Sequence, residues 1–337
     1  MRKWTKALCL LLCLGAFVAI AANLDNEALQ AFDTSATVSL AEARTPLMTA
    51  VMKSFTALCA PVTLLLICLA LMFLLRRKHY GIPIAVNLMA SVFLNFSLKT
   101  FFVRDRPPLL YRAITETGYS FPSGHMMAAT AFYGFLIYIV LQSASFRRKE
   151  KTLLTALLAL LIAGVGFSRV YLGVHYCTDV VAGLAVARFY LLAYTSIVRF
   201  YLNAGEAPQP HGESKNDSLH FSFLHAFEGI ASGLKNERNM LIHFAAMAFV
   251  TVCGFLFSIS ATEWLVCVML FGIVIGAELI NTSIETTVNI CMPDIDPRAK
   301  IAKDTAAGAV LAVCVGAAIA GAIIFLPKIW ARVSAFL

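Results

Sequence analysis

The chain has 337 residues, 60% of them hydrophobic and only 14% charged, with a formal net charge of +8. Soluble domains are about a quarter charged, so these proportions, with a mean hydropathy of +0.79, exclude an ordinary soluble protein and predict an all-α integral membrane fold. The basic residues fall in short clusters between apolar runs, as in cytoplasmic loops, which excludes a nucleic-acid groove; the nine scattered cysteines lack the paired spacing of a disulfide framework or zinc site.

From Ala7 to Ala22, behind Arg2, Lys3 and Lys6, the chain reads as a first spanning helix. A signal peptide cleaved at Ala19-Ile20-Ala21 is the alternative. Further runs of roughly twenty apolar residues, the length a span requires, begin near Thr56, Ile82, Ser123, Thr152 and Thr178, and again near Met240, Trp264 and Asp304. The Pro-, Gly- and charge-rich stretch at 203–220 separates the two groups as a linker. The expected domains are therefore a six-helix bundle over 1–202 and a three-helix domain over 221–337. No internal repeat relates them, which argues against a transporter. If the helices alternate, the basic clusters at Arg2/Lys3/Lys6, 76–78, 147–151, Arg199, Lys215, Lys235/Arg238 and 298–303 share the cytoplasmic side. Arg44, Lys53, Arg104, Arg112, Lys328 and Arg332 fall outside, so the bias is a majority. Arg188, within the sixth run, is expected to find a partner inside the bundle.

Lipid bilayers tolerate ionisable residues poorly, so a group of them with complementary chemistry at the ends of apolar segments calls for a reason. Lys99, Arg106, Ser123-Gly124-His125, Arg169, His175 and Asp179 stand at such ends, all on the outer side. On a helix starting near Val174, His175 and Asp179 are four apart and share a face, so Asp179 can orient the imidazole as a nucleophile. Arg106 and Arg169 offer planar forks to phosphate oxygens and Lys99 a point charge. Ser123 and Gly124 open a helix whose free amides favour an anion. His125 is placed to protonate a leaving oxygen. Each piece alone has an ordinary structural explanation; their joint order and spacing does not.

Lys99-x6-Arg106-Pro107, Pro122-Ser123-Gly124-His125 and Ser168-Arg169-x5-His175-x3-Asp179 resemble the three-part signature of the type-2 phosphatidic acid phosphatase family, over residues 1 to about 200. The resemblance implies a six-helix bundle, a phosphohistidine on His175, proton donation by His125 and no metal requirement. By the same likeness Lys99, Arg106, Ser123, Gly124, His125 and Arg169 would hold the phosphate. Cys177 stands where that family commonly has Pro.

The second group carries Glu278, Asn281 and Glu285, spaced 3 and 4 apart on one helical face, with Glu237 before the seventh span and Lys303-Asp304 opening the ninth. Carboxylates meeting at a cytoplasmic interface suit Mg²⁺ arriving with nucleotide phosphates, and Lys303 can pair with those phosphates. Glu278 can take a proton from a lipid hydroxyl. The same polar face could instead bond neighbouring helices.

Asn236-Glu237-Arg238-Asn239, Glu278 to Glu285 and Ala302-Lys303-Asp304…Ala307-Gly308 resemble the small bacterial membrane diacylglycerol kinase and undecaprenol kinase family over about 222–327. This implies Glu278 as base, Glu237 and Glu285 as ligands of the metal of Mg-ATP, Asn281, Lys303 and Asp304 near the nucleotide, and a homotrimer with shared sites. Asn289 stands where that family usually has Asp. The expectation is a bifunctional multi-pass enzyme of the bacterial cytoplasmic membrane: an outer lipid (di)phosphate phosphatase, with undecaprenyl diphosphate as its substrate, and an inner ATP-dependent kinase of undecaprenol or diacylglycerol. The alternative is a phosphatidic acid, phosphatidylglycerol phosphate or lipid A phosphatase with an inactive kinase-like oligomerisation module.

Overall fold

The computed structural model describes residues 3–75, 79–203, 219–292, 294 and 296–334. Most of the expected linker and the basic residues at 2, 76–78 and 215 lie outside them. All regular elements among the described residues are helical: α1 (Lys3–Ala21), α2 (Glu27–Glu42), α3 (Pro46–Ala57), α4 (Pro61–Leu74), α5 (Gly81–Phe102), α6 (Gly124–Gln142), α7 (Arg148–Tyr171), α8 (Cys177–Asn203), α9 (Leu219–Asn236), α10 (Arg238–Leu256), α11 (Ala261–Cys291) and α12 (Pro297–Ser334), with a 3-10 turn at Leu109–Tyr111. Eight of them are long and apolar enough to cross a membrane, and α3 with α4 would make a ninth span if the pair counts as one. This is a multi-pass all-α membrane protein.

The expected second span near Thr56 is a broken one. Its two halves, α3 and α4, meet at 47°, because Pro61 has no amide to continue the ladder across the turn. Both α2 and α9 were hidden among polar residues. Asn26 caps α2 by accepting from the amides of Ala28 and Leu29. α11 starts earlier than Trp264 because Ser260 and Glu263 form a reciprocal capping box.

By contacts the chain forms two compact units, residues 1–68 with 86–198, and residues 69–85 with 199–337. In the first, Phe17 of α1 stacks on Phe121 at 5.8 Å and meets Phe102 edge-on, over a core that includes Met127, Ala182 and Val186. Small residues let the helices close up around the end that carries the ionisable groups. A Cβ on Gly166 would lie 2.8 Å from Met126 Sδ, and one on Gly183 3.0 Å from the Ser123 carbonyl. Arg188 does not turn into this bundle. It is exposed on the stripe of α8 that carries exposed Val181 and Leu184, while Ala182, Ala185, Val186 and Ala187 face inward; the helical period, not the charge, decides its side.

In the second unit α10, α11 and α12 pack together. The 31 residues of α11 exceed a single span, so Glu278 to Cys291 continues the same helix.

Candidate functional sites

In the first unit the loop between α5 and α6 and the turn between α7 and α8 converge. Lys99, in the last turn of α5, donates to the carbonyls of Tyr119 and Ser120. Arg106 is wrapped by carbonyls, Nε to Gly118 (2.9 Å), Nη2 to Thr117 (3.0 Å) and Nη1 to Val174 (2.9 Å). Its Nη1 also lies 3.2 Å from His175 Nε2. Arg169 is fully buried, and its fork reaches Thr56 Oγ1 and Glu116 Oε1, the latter at 2.6 Å. Glu116 Oε2 sits 3.8 Å from Arg106, so one carboxylate bridges both guanidiniums.

His175 is not on a helix with Asp179, as the spacing suggests; α8 starts at Cys177. The two still meet, for a different reason. Asp179, in the first turn, reaches back so that Oδ2 accepts the Tyr176 amide at 2.9 Å, half of a capping box. That places Oδ2 3.4 Å from His175 Nδ1, near but off-line for a hydrogen bond. With Nδ1–H facing the carboxylate, Nε2 carries the lone pair, here engaged by Arg106. Burial, then the charges of Lys99, Arg169 and Arg106, hold the His175 pKa well below the ordinary imidazole value.

Ser123 ends on a buried Oγ without a protein partner, and Arg169 Nε is likewise unpaired. Unpaired buried donors beside a helix start are what an anion would satisfy. Gly124 lets the Asn95 side chain approach the helix start, since a Cβ there would lie 2.8 Å from Asn95 Oδ1. His125, in the first turn of α6, lies within electrostatic reach of Arg169, His175, Arg106 and Lys99. All eight motif residues are thus gathered at one end of the unit.

Three contributors escaped the sequence. Glu116 sits in a loop with no periodic signal. Arg104 donates from Nη1 to Asp179 Oδ1 at 2.6 Å, and Asp33 of α2 accepts from its Nη2 at 2.9 Å. Burial works against the Arg104 charge, but Asp179 and Asp33 more than offset it and raise its pKa.

In the second unit a cavity of about 270 Å³ is lined by Glu278, Asn281 and Glu285 of α11, Asn239 and His243 of α10, and apolar residues of α12. Glu278 is buried with Oε1 unpartnered, as is Asn281 Oδ1; Asn281 Nδ2 donates to Glu285 Oε1 at 3.1 Å. His243 Nε2, 3.7 Å from Glu278 Oε2, is a neighbour that spacing alone did not flag. Lys303 donates to Asn289 Oδ1 at 2.5 Å, and Asp304 accepts from Lys300 on the exposed face, so neither lines that cavity.

Glu237 precedes α10. Burial first, then the nearby charges of Glu285 and Glu278, raises its pKa. Carboxylates held together against their repulsion, with open acceptor atoms between them, fit a divalent cation. No three His, Cys, Asp or Glu gather at metal-ligating distances among the described residues. Two protein carboxylates completed by water and phosphate oxygens match how Mg²⁺ is held.

Residues 80–202 match the model of the PAP2 superfamily, and residues 224–325 that of prokaryotic diacylglycerol kinase. The kinase part is similar to undecaprenol kinase of Bacillus subtilis, 45% identical over 108 residues, which is 32% of this chain and 88% of that protein. The N-terminal part is similar to phosphatidylglycerophosphatase B of the same organism, 33% identical over 176 residues, covering 50% of this chain and 85% of the relative. The chain belongs to both families. A crystal structure of a transmembrane PAP2-type phosphatidylglycerolphosphate phosphatase from Bacillus subtilis superposes with a TM-score of 0.53 at 28% identity, over 57% of this chain and 96% of that one. This PAP2–diacylglycerol kinase fusion therefore joins two enzyme families, a phosphatase at its N-terminal side and a lipid kinase at its C-terminal side.

Proposed function

We propose that the fusion is a bifunctional lipid enzyme of the bacterial cytoplasmic membrane whose two sites converge on one product. The phosphatase half, 1–202, would convert undecaprenyl diphosphate to the monophosphate outside. The kinase half, 221–337, would phosphorylate undecaprenol to the same compound inside. The observation carrying this is the pairing, in one chain, of a site of cations and imidazole with a carboxylate-lined cavity. Two opposing activities on one lipid would only hydrolyse ATP. The majority of basic clusters on one side supports opposed sites.

At the outer site Lys99, Arg106 and Arg169 bind the phosphate oxygens, with Ser123 and the first amides of α6. Its arrival draws Arg106 from His175 and displaces Glu116. His175 Nε2 then bonds to phosphorus as the bond to the leaving oxygen breaks, and His125 supplies that oxygen's proton. Water next attacks the phosphohistidine, His125 takes its proton, and phosphate leaves with His175 restored.

At the inner site Glu278 takes the proton of the lipid hydroxyl, whose oxygen attacks the γ-phosphorus of ATP as ADP departs. Glu237 and Glu285 would hold Mg²⁺, which supplies charge neutralisation of the nucleotide phosphates when bound. Asn281 orients Glu285, while Lys303 and Asp304 approach the nucleotide. The exposed stripe Leu311, Val315, Ile319 and Ile323 on α12 is the kind of face a neighbouring copy covers, which supports a homotrimer through the kinase half.

A second reading is favoured by the named phosphatase relatives: phosphatidylglycerol phosphate as the outer substrate. Purified protein assayed on a lipid panel separates the two. Release of phosphate from undecaprenyl diphosphate, lost in His175→Ala, with ATP-dependent labelling of undecaprenol lost in Glu278→Ala and kept in His175→Ala, is the expected result. No release from the diphosphate alongside rapid cleavage of phosphatidylglycerol phosphate or phosphatidic acid would overturn it.

A further inference from the structure

Behind His175 lies a chain of charges that runs from the motif residue Asp179 to two residues outside any motif, Arg104 and Asp33. Asp33 of α2 is fully buried. Its Oδ1 accepts the Thr178 amide at 3.1 Å, and its Oδ2 accepts the Thr178 hydroxyl and, at 2.9 Å, Arg104 Nη2. Arg104 Nη1 donates to Thr178 Oγ1 at 2.8 Å and to Asp179 Oδ1 at 2.6 Å, and its guanidinium covers the Tyr176 ring, 4.5 Å from the centroid. Asp179 Oδ2 is left to the Tyr176 amide and to His175 Nδ1.

We propose that Asp33 and Arg104 are positioning residues of the phosphatase, aligning Asp179 on His175 and supplying the charge that the phosphorylated imidazole needs. The proposal rests on the phosphatase role given above. With Oδ1 pinned by Arg104 and Oδ2 by a backbone amide, the Asp179 carboxylate cannot rotate, so Oδ2 stays within 3.4 Å of Nδ1. Asp33, Arg104 and Asp179 together carry one net negative charge. His175 gains a positive charge when Nε2 bonds to phosphorus, and this buried anion stabilises it. Without Asp33 the set is neutral, and Arg104 alone would pull Asp179 away from the imidazole. Neither residue touches the phosphate, which Lys99, Arg106 and Arg169 hold.

A merely structural brace between α2 and α8 makes a different prediction, and the fold offers a way to tell them apart. A cavity of about 530 Å³ is lined by both Asp33 and Arg104, so a guanidinium ion has a route to the space that Arg104→Ala would open. The test uses the full-length protein in detergent with lipid phosphate as substrate. Arg104→Ala and Asp33→Asn should each lower kcat on the order of a hundredfold, the effect of a small misalignment of reacting groups, with KM within about twofold of wild type. Millimolar guanidinium chloride should restore kcat in Arg104→Ala and do nothing for Asp33→Asn or His175→Ala. Wild-type kcat in either folded variant, or a defect in Arg104→Ala that guanidinium leaves untouched, would overturn the proposal. Should Asp33→Asn fail to fold, the guanidinium arm decides alone. Wild-type protein that releases no phosphate from any lipid phosphate would instead overturn the phosphatase reading itself.

Discussion

Near pH 6 an ordinary imidazole, with a pKa of about 6.5, is mostly protonated and useless as a nucleophile. His175 is held well below that value by burial and by Lys99, Arg169 and Arg106. A lowered pKa keeps the neutral form as pH falls through the ordinary imidazole range, so phosphatase kcat/KM should persist through that range and decline only below it. An acid limb centred at about 6.5 in a pH–rate profile would contradict this. Glu116, shared between Arg169 at 2.6 Å and Arg106 at 3.8 Å, occupies the groups proposed to bind phosphate. Glu116→Gln should lower KM and the inhibition constant of inorganic phosphate roughly fivefold, the ~1 kcal/mol of a partly exposed ion pair; steady-state assays with phosphate as inhibitor would measure it. The chemical groups were legible in the sequence because phosphate chemistry needs cations and imidazoles, which bilayers otherwise exclude. Glu116, Asp33 and Arg104 were not, since only the folded chain brings these loop and α2 residues together. The Asn289 side chain illustrates a finer point: losing the acid's charge keeps an acceptor for Lys303.

Between elements, the turn from α7 to α8 sets where His175 sits. Gly173 has φ +72°, and a Cβ there would lie 2.0 Å from the Tyr111 carbonyl and 2.7 Å from Arg44 Nη2. Arg44 itself donates to the carbonyls of Tyr171 and Tyr111, so the turn is clamped from both sides. Gly173→Ala adds backbone strain of about 1–3 kcal/mol to that collision. It should lower the unfolding temperature in detergent by several degrees and abolish phosphate release, whereas Gly229→Ala, with open space around its Cβ, should do neither. Spans were readable because a bilayer demands a long apolar run. The break between α3 and α4, the helices α2 and α9, and the outward turn of Arg188 were not: a hydropathy average passes over Pro61 and the helical period, and it overlooks short helices with polar faces.

For the molecule as a whole, the proposal that its two sites open to opposite compartments can be checked by labelling. Cys291 ends α11 and is exposed, while half-buried Cys177 begins α8 beside the phosphatase site. An impermeant thiol reagent applied to intact cells should modify Cys177 and spare Cys291 until the membrane is opened. Equal labelling of both would refute the opposed arrangement. The contact of Arg106 Nη1 with His175 Nε2 at 3.2 Å bears on the same membrane setting. A nucleophile left bare on a surface bathed by small electrophiles would be acylated or alkylated sooner or later. With its lone pair sheathed by a guanidinium, the imidazole is shielded at rest, and in the proposed mechanism the phosphate that unsheathes it is also the group it attacks.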